Sequence, residues 1–310
     1  MQAAIVFNPL AGTRRAMQDV GWAVEALQAR GWPVALMPTE RPGQMGELAA
    51  AAVADGARAI FAAGGDGTVG AVAEALAGTE TVLGVLPIGT ANVWAAELGL
   101  NRKLSSPQAV RACIDAQVDG AVRAVDMGRR GSRAFLLWAG IGLDGHVISK
   151  IEPRPEIAKR FGNTYFFWAG LIGATDFRGG AMTVRTEQGT MSGKNILAVV
   201  TNVRLYGGNG ADSVLEPEAK VDDGQLAVWT MGGESFFDAL IQLNRYRHGG
   251  HLHHHDAQKL NGREIEIELE RPMLVQFDGE LAGAVNHARF TVWPGALRVF
   301  APDRLLQIFG

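Results

Sequence analysis

The chain holds a single cysteine, Cys113, so no internal disulfide can form and a reducing cytoplasm fits. It also lacks an excess of charge: over 310 residues the formal net charge is −3 with histidines neutral. No broad basic surface follows from that balance, which argues against nucleic acid as a partner. The opening residues, MQAAIVFNPLAG, carry no basic leader and read as a first β-strand rather than a signal peptide. No run reaches the roughly 20 uninterrupted apolar residues that a membrane span needs. The longest candidate, residues 164–174, contains two glycines and stops before Asp176. A cytoplasmic protein is therefore expected.

What is present is apolar enough to fold. Hydrophobic residues make up 47% of the chain, which excludes disorder, and the length favours two domains over one core. The first third alternates strand and helix. Short apolar runs at residues 3–7, 34–37, 58–62 and 81–86 are strands. Met17, Val20, Val24 and Leu27 recur at helical spacing, and helices are also expected over residues 45–54 and 91–98. Repeated βα units of this size predict an α/β fold with a doubly wound parallel sheet over residues 1–125. From about Asp126 the pattern changes to short alternating segments, with Ile265, Ile267 and Leu269 facing one way and Glu264, Glu266, Glu268 and Glu270 the other. That is a half-buried antiparallel strand, and its repetition predicts a β-sandwich domain over residues 126–301 with one helix near 234–247. Residues 302–310 are expected to return to the first domain as a short helix.

Three glycine-bearing turns close strands of the first domain: Asn8 to Thr13, Gly64-Gly65-Asp66-Gly67-Thr68, and Pro87-Ile88-Gly89-Thr90-Ala91-Asn92. Glycine after a strand lets backbone N–H groups approach phosphate oxygens, and a following helix presents its positive end to the same anion. Asp66 stands where a carboxylate can join a magnesium–phosphate network. A plain turn with Thr68 as helix cap is the alternative for GGDGT alone. Ligands of doubly wound sheets bind outside the carboxyl ends of the strands, so three such turns at one edge predict a nucleotide site.

With these motifs the chain resembles the bacterial diacylglycerol kinase family, related to sphingosine and ceramide kinases. The resemblance runs through FNPLAG, GGDGT, PIGTANVWAAELGL, VDMG, AGIGLDGHV, TNVRLYGGN, EPEAKVDDG and FDGE, in family order. It implies a nucleotide domain followed by a β-sandwich, with the active site between them. It implies ATP contacts at Asn8, Gly12, Thr39, Gly64, Gly65, Asp66, Gly67, Thr68, Gly89, Thr90 and Asn92. Glu280 matches the carboxylate used as acid–base group, with a hairpin turn as the alternative, and Asp66 shares the catalytic role. Asp126 is a further active-site carboxylate or a strand-end turn residue. Asp144 is implied in positioning the lipid headgroup, or is a buried turn residue. Lys159 and Arg160 lie near basic phosphate-binding positions, or on a solvated helix face. Mg²⁺ is expected on the Asp223 carboxylate and the carbonyls of Lys220 and Gln225, where a plain Asp-Gly turn is the other reading.

The expected partner is a lipid substrate at a membrane surface, reached by peripheral association, with a homodimer left open. The aromatic stretch from Asn163 to Thr175 either meets the bilayer interface or lines an acyl-chain pocket. His251, His253, His254 and His255 lack a nearby cysteine and read as a solvated loop, with no metal assigned. Three departures from the family pattern stand out: Val93 after Asn92, Gly70-Ala71 where Asn-Glu is usual, and Thr13 in place of a basic residue. Two other functions compete. A kinase of a soluble metabolite such as NAD would share GGDGT but leaves YGGN, DDG and DGE unexplained. A lipid or nucleotide sensor without turnover would not need both Asp66 and Glu280.

Overall fold

The structure is a computed structural model that describes residues 1–9, 16–100, 104–151, 175–207, 214–302 and 308–310. Gly12, Lys159, Arg160, most of the 163–175 aromatic stretch and most of the expected C-terminal helix lie outside these. The chain forms two compact units. The first comprises Met1–Met127, Val221–Asp223 and Pro294–Gly310; the second comprises Gly128–Lys220 and Gly224–Trp293. Residues 126–127, 221–223 and 294–301, expected in the second domain, belong to the first unit.

In the first unit four parallel strands lie in the order β2 (Val34–Pro38), β1 (Ala3–Phe7), β3 (Ala59–Gly64), β4 (Val82–Pro87). The C-terminal end of β13 (Glu280–Ala301) continues the sheet, Arg298 and Val299 pairing in parallel with Val82 and Leu83. Strands β1, β3 and β4 are buried along their whole length, as unbroken apolar runs such as AAIVF demand when helices cover both faces. The helices are α1 (Ala16–Ala29), α2 (Met45–Ala54), α3 (Asp66–Leu76), α4 (Val93–Glu97) and α5 (Pro107–Val118). Helix α5 was not expected from sequence, although its start is well signalled: Ser106 accepts from the Ala109 N–H and Pro107 occupies the first turn. Buried Gln117 fixes α5 to β4, donating to the Val85 carbonyl and accepting from the Val85 N–H. Beside it the Cys113 thiol is pushed up to about 12 by burial, which leaves it protonated and inert.

The second unit is antiparallel. Its strands are β6 (Arg133–Phe135), β7 (Trp138–Gly142), β8 (Gly180–Thr186), β9 (Gly189–Thr201), β10 (Leu226–Gly232), β11 (Ala257–Gly262), β12 (Glu264–Phe277) and the N-terminal part of β13; β5 (Ala121–Arg130) ends within it. Two long strands change partners part-way. β9 pairs with β8 through Gly189–Asn195 and with β7 through Leu197–Thr201. β12 pairs with β8 through Glu266–Leu269 and with β7 through Val275–Phe277. These four strands, with β6 and β13, enclose one core of Phe135, Ile141, Val184, Val200, Ile267 and Phe290, which is the expected sandwich. Helix α6 (Leu143–Ile151) follows β7, and α7 (Phe236–Arg247) follows β10, opened by a Ser235–Asp238 capping box. Among the described residues no helix is long and apolar enough to cross a membrane.

Candidate active site

On the first unit every expected nucleotide residue that is described falls at the carboxyl ends of the parallel strands. Asn8 follows β1, Thr39 follows β2, Gly64 ends β3 and Gly65 follows it, and Gly89 follows β4. Thr39 is buried, and its N–H donates to the Phe7 carbonyl at 2.9 Å, joining the first two strand ends. The second and third glycine turns are joined more closely. The Gly89 N–H donates to the Gly64 carbonyl at 3.1 Å. A Cβ on Gly89 would stand 2.3 Å from the Gly65 Cα, so the two turns meet backbone to backbone. A Cβ on Gly64 would meet the Thr68 side chain at 2.3 Å.

Asp66 is the first residue of α3, and one of its carboxylate oxygens accepts from the Trp94 N–H at 3.2 Å. The carboxylate therefore links the start of α3 to the start of α4. Asn92, which precedes α4, adopts the left-handed region at φ 52° and donates its amide to the Gly89 carbonyl at 3.0 Å. That local bond explains an asparagine at a position where most side chains are strained. Asn92 is buried and Thr90 exposed.

Asp126 lies deep in the same unit, almost wholly buried. Its carboxylate accepts from the Gly295 N–H at 2.8 Å, and its own N–H donates to the Val221 carbonyl at 2.6 Å. Val221 donates in turn to the Ile308 carbonyl, and Asp222 accepts from the Gly310 N–H at 2.6 Å. Asp126 thus anchors the Val221–Asp223 segment that carries the expected metal ligand Asp223. The 220–225 loop turns at Gly224, φ 72°. The expected ligands, the Asp223 carboxylate and the carbonyls of Lys220 and Gln225, are all oxygen donors, the type that suits a hard cation such as Mg²⁺.

On the second unit, Asp144 sits in the first turn of α6, not in a loop. It accepts from Gln276 Nε2 at 2.6 Å, and the Tyr206 and Trp138 side chains lie beside it. Burial pushes the Asp144 carboxyl above the usual range, and these neutral donors only partly offset that. Burial and the nearby Asp144 hold the Tyr206 hydroxyl well above its ordinary value.

The Asp278-Gly279-Glu280 turn divides its labour. Asp278, at φ 48°, aims its carboxylate at three backbone N–H groups, those of Leu136, Leu137 and Trp138, at 2.8, 2.9 and 3.1 Å. It is a clamp on the start of β7. Glu280 is exposed and pairs with Arg133 at 2.6 Å, while the Arg133 guanidinium also lies 5.5 Å from the centre of the Phe277 ring. Sequence reasoning missed Arg133, Gln276 and Trp138, because none stands in a recognisable motif position; Tyr206 lies in the TNVRLYGGN motif, but the motif did not assign it a role.

The histidine run departs from expectation at its first member. His251 is buried against Trp229 and Tyr246 and bonds the Leu215 carbonyl, so burial lowers its basicity. His254, His255 and Asp256 do gather near one another, but the Asp256 carboxylate is engaged by Arg245 at 2.7 Å.

Both halves of this arrangement have counterparts. Residues 2–130 match the family described as diacylglycerol kinase catalytic domain, and residues 140–301 match the YegS C-terminal NAD kinase beta sandwich-like domain. The chain belongs to the YegS-like lipid kinase family. It is 30% identical to a protein of Pseudomonas putida named "Probable lipid kinase YegS-like", over 97% of each chain. A protein of the same name from Pseudomonas aeruginosa is also 30% identical, covering 94% of this chain and 93% of its own. In fold it is similar to the crystal structure of a diacylglycerol kinase from Bacillus anthracis, with a TM-score of 0.70 at 20% identity over 98% of each chain.

Proposed function

We propose that the protein transfers the γ-phosphoryl group of Mg-ATP to a hydroxyl of a lipid, diacylglycerol being one acceptor of the right chemistry. The observation that carries this reading is the junction at Gly65, Gly89 and Asp66. Two glycine turns meet there with no side chain between them, beneath a carboxylate at the head of α3. Bare backbone at a helix N-terminus suits phosphate oxygens, and a carboxylate beside them suits a phosphate that arrives with its metal.

In the proposed step a lone pair of the lipid hydroxyl oxygen attacks the γ-phosphorus. The new P–O bond forms as the bond to the β,γ-bridging oxygen breaks, ADP leaves, and the hydroxyl proton passes to the Glu280 carboxylate. Magnesium supplies charge neutralisation on the phosphates. Asp66 orients that assembly, Asp144 receives the acceptor headgroup, and Arg133 holds the Glu280 side chain in place. A lipid acceptor requires the enzyme to work at a membrane surface by peripheral association.

The test is transfer of ³²P from Mg-ATP into a mixed lipid extract, with products identified by mass spectrometry, beside a parallel assay on NAD. Labelled lipid is the expected product. Label in NAD and none in lipid would replace this reading with a soluble-metabolite kinase, and no ATP consumption with either would replace it with a sensor.

A further inference from the structure

Gln276 is fully buried in β12, and the two ends of its amide meet different elements. Nε2 donates to Asp144 on α6 at 2.6 Å, and Oε1 accepts from the Gly279 N–H at 2.7 Å. The polarity of this chain follows from chemistry. A backbone N–H can only donate, so Oε1 must face Gly279; Nε2 then faces Asp144, which must accept. Reversing the amide would set donor against donor at one end and acceptor against carboxylate at the other.

The space for this meeting is made by Gly140 on β7. A Cβ there would lie 2.2 Å from the Asp144 carboxylate and 2.8 Å from Gln276 Nε2. The other groups facing Asp144 are the neutral side chains of Tyr206 and Trp138. The amide is thus a rigid link between the carboxylate of α6 and the turn that bears Glu280.

Resting on the lipid kinase reading above, we propose that Gln276 is a positioning residue: it ties Asp144, which receives the acceptor, to the backbone of the Glu280 turn. It touches no reacting atom and acts through the Gly279 N–H, so the two carboxylates are held in a fixed relation.

Two substitutions separate this from a merely structural buried amide. Gln276→Leu keeps the volume and removes both bonds. Its kcat for lipid phosphorylation should fall by about ten- to a hundredfold, as for a small misplacement of a catalytic group, with KM for ATP unchanged. Gln276→Glu keeps the bond to Gly279 but sets a second carboxyl against Asp144, where the two can coexist only by sharing a proton. Its kcat should therefore gain a new limb, active at acid pH and lost as pH rises, that the wild type lacks.

Hydrogen exchange at the Gly279 amide gives a readout independent of activity. Gly279 should lose protection in Gln276→Leu and keep it in Gln276→Glu, whose carboxyl oxygen still accepts from that N–H. A wild-type pH profile in Gln276→Glu, or unchanged Gly279 protection in Gln276→Leu, overturns the proposal. If Gln276→Leu does not fold, the Gln276→Glu profile decides alone. Absence of lipid phosphorylation in the wild type would sink the functional reading, and the exchange measurement would still decide the link.

Discussion

Gly65 and Gly89 approach so closely that a methyl group on Gly89 would stand 2.3 Å from the Gly65 Cα and 2.7 Å from its nitrogen. Both contacts are to backbone, which cannot rotate away as a side chain could. Gly89→Ala should therefore push the two turns apart. The expected cost is about 1–3 kcal/mol of stability, the usual range for overpacking, together with loss of ATP binding. Calorimetric melting with and without Mg-ATP checks both. A variant with a wild-type nucleotide shift would mean that the junction does not hold phosphate.

Asp66→Asn tests chemistry with little disturbance of fold. An asparagine carbonyl can still accept from the Trp94 N–H, whose present partner is the Asp66 carboxylate at 3.2 Å. What is removed is charge beside the phosphates. Transfer to lipid should fall at least about a hundredfold, as when a single electrostatic stabiliser is lost, while the melting temperature stays close to wild type. Near-normal turnover in Asp66→Asn would remove Asp66 from the mechanism.

Gly65, Gly89 and Asp66 also mark what was legible in the sequence. A strand that must end in bare backbone needs glycine, and glycine runs are visible as letters; so the turns after β3 and β4 could be read directly. The strands of the second unit were harder. Arg271-Pro272 interrupts the apolar–acidic alternation that begins at Glu264, yet β12 runs from Glu264 to Phe277 with a register shift between Glu268 and Met273. Pro294-Gly295 also carries turn residues, and β13 passes through it. In β12 a bulge absorbs Arg271-Pro272 without ending the strand, and nothing in a single sequence separates that case from a true break. Gln276 was invisible for a different reason: a buried polar residue has no pattern of its own, and its meaning lies in Asp144, 132 residues away in the chain.

Glu280 and Arg133 lead to a prediction about rate rather than stability. Both side chains are substantially exposed, so their ion pair contributes less than about 1 kcal/mol to folding. Glu280→Gln should lower kcat by about 10²–10⁴, the span ascribed to general-base catalysis, and Arg133→Leu by a smaller factor, with both melting temperatures little changed. A Glu280→Gln enzyme as fast as wild type would exclude Glu280 as the proton acceptor.

Asp223 belongs to a segment anchored by Asp126 and by the C-terminal residues Ile308 and Gly310. A cation bound there only in the folded state raises stability by mass action, by about 2.7 kcal/mol when its concentration is a hundred times Kd. Without nucleotide, Mg²⁺ should raise the melting temperature of the wild type, and Asp223→Ala should abolish that rise. An equal magnesium response in both would leave the 220–225 loop as a simple turn.

Asp144 predicts a pH dependence of definite sign. Its carboxyl is held above the usual range by burial, so the folded state binds its proton more tightly than the unfolded chain does. Below the unfolded value, near 3.9 for an ordinary aspartate, the group is protonated in both states and burial carries no charge penalty. As pH rises through the raised folded value, Asp144 must ionise in a place that disfavours charge, and the stability present at low pH is lost. Other carboxylates pull the opposite way. Asp176, held down to about 2 by Lys150 and His146, contributes stability above pH 3.8 that is lost as pH falls towards 2. The whole-protein curve therefore mixes signs, and the informative quantity is the difference between wild type and Asp144→Asn. An asparagine carbonyl can still accept from Gln276 but carries no titrating proton. Measured by urea midpoints across the acid to neutral range, wild type should lose stability relative to Asp144→Asn as pH increases. A flat difference would mean that water reaches the Asp144 carboxylate well enough to solvate its charge, and a difference of opposite slope would mean that its hydrogen bonds outweigh its burial.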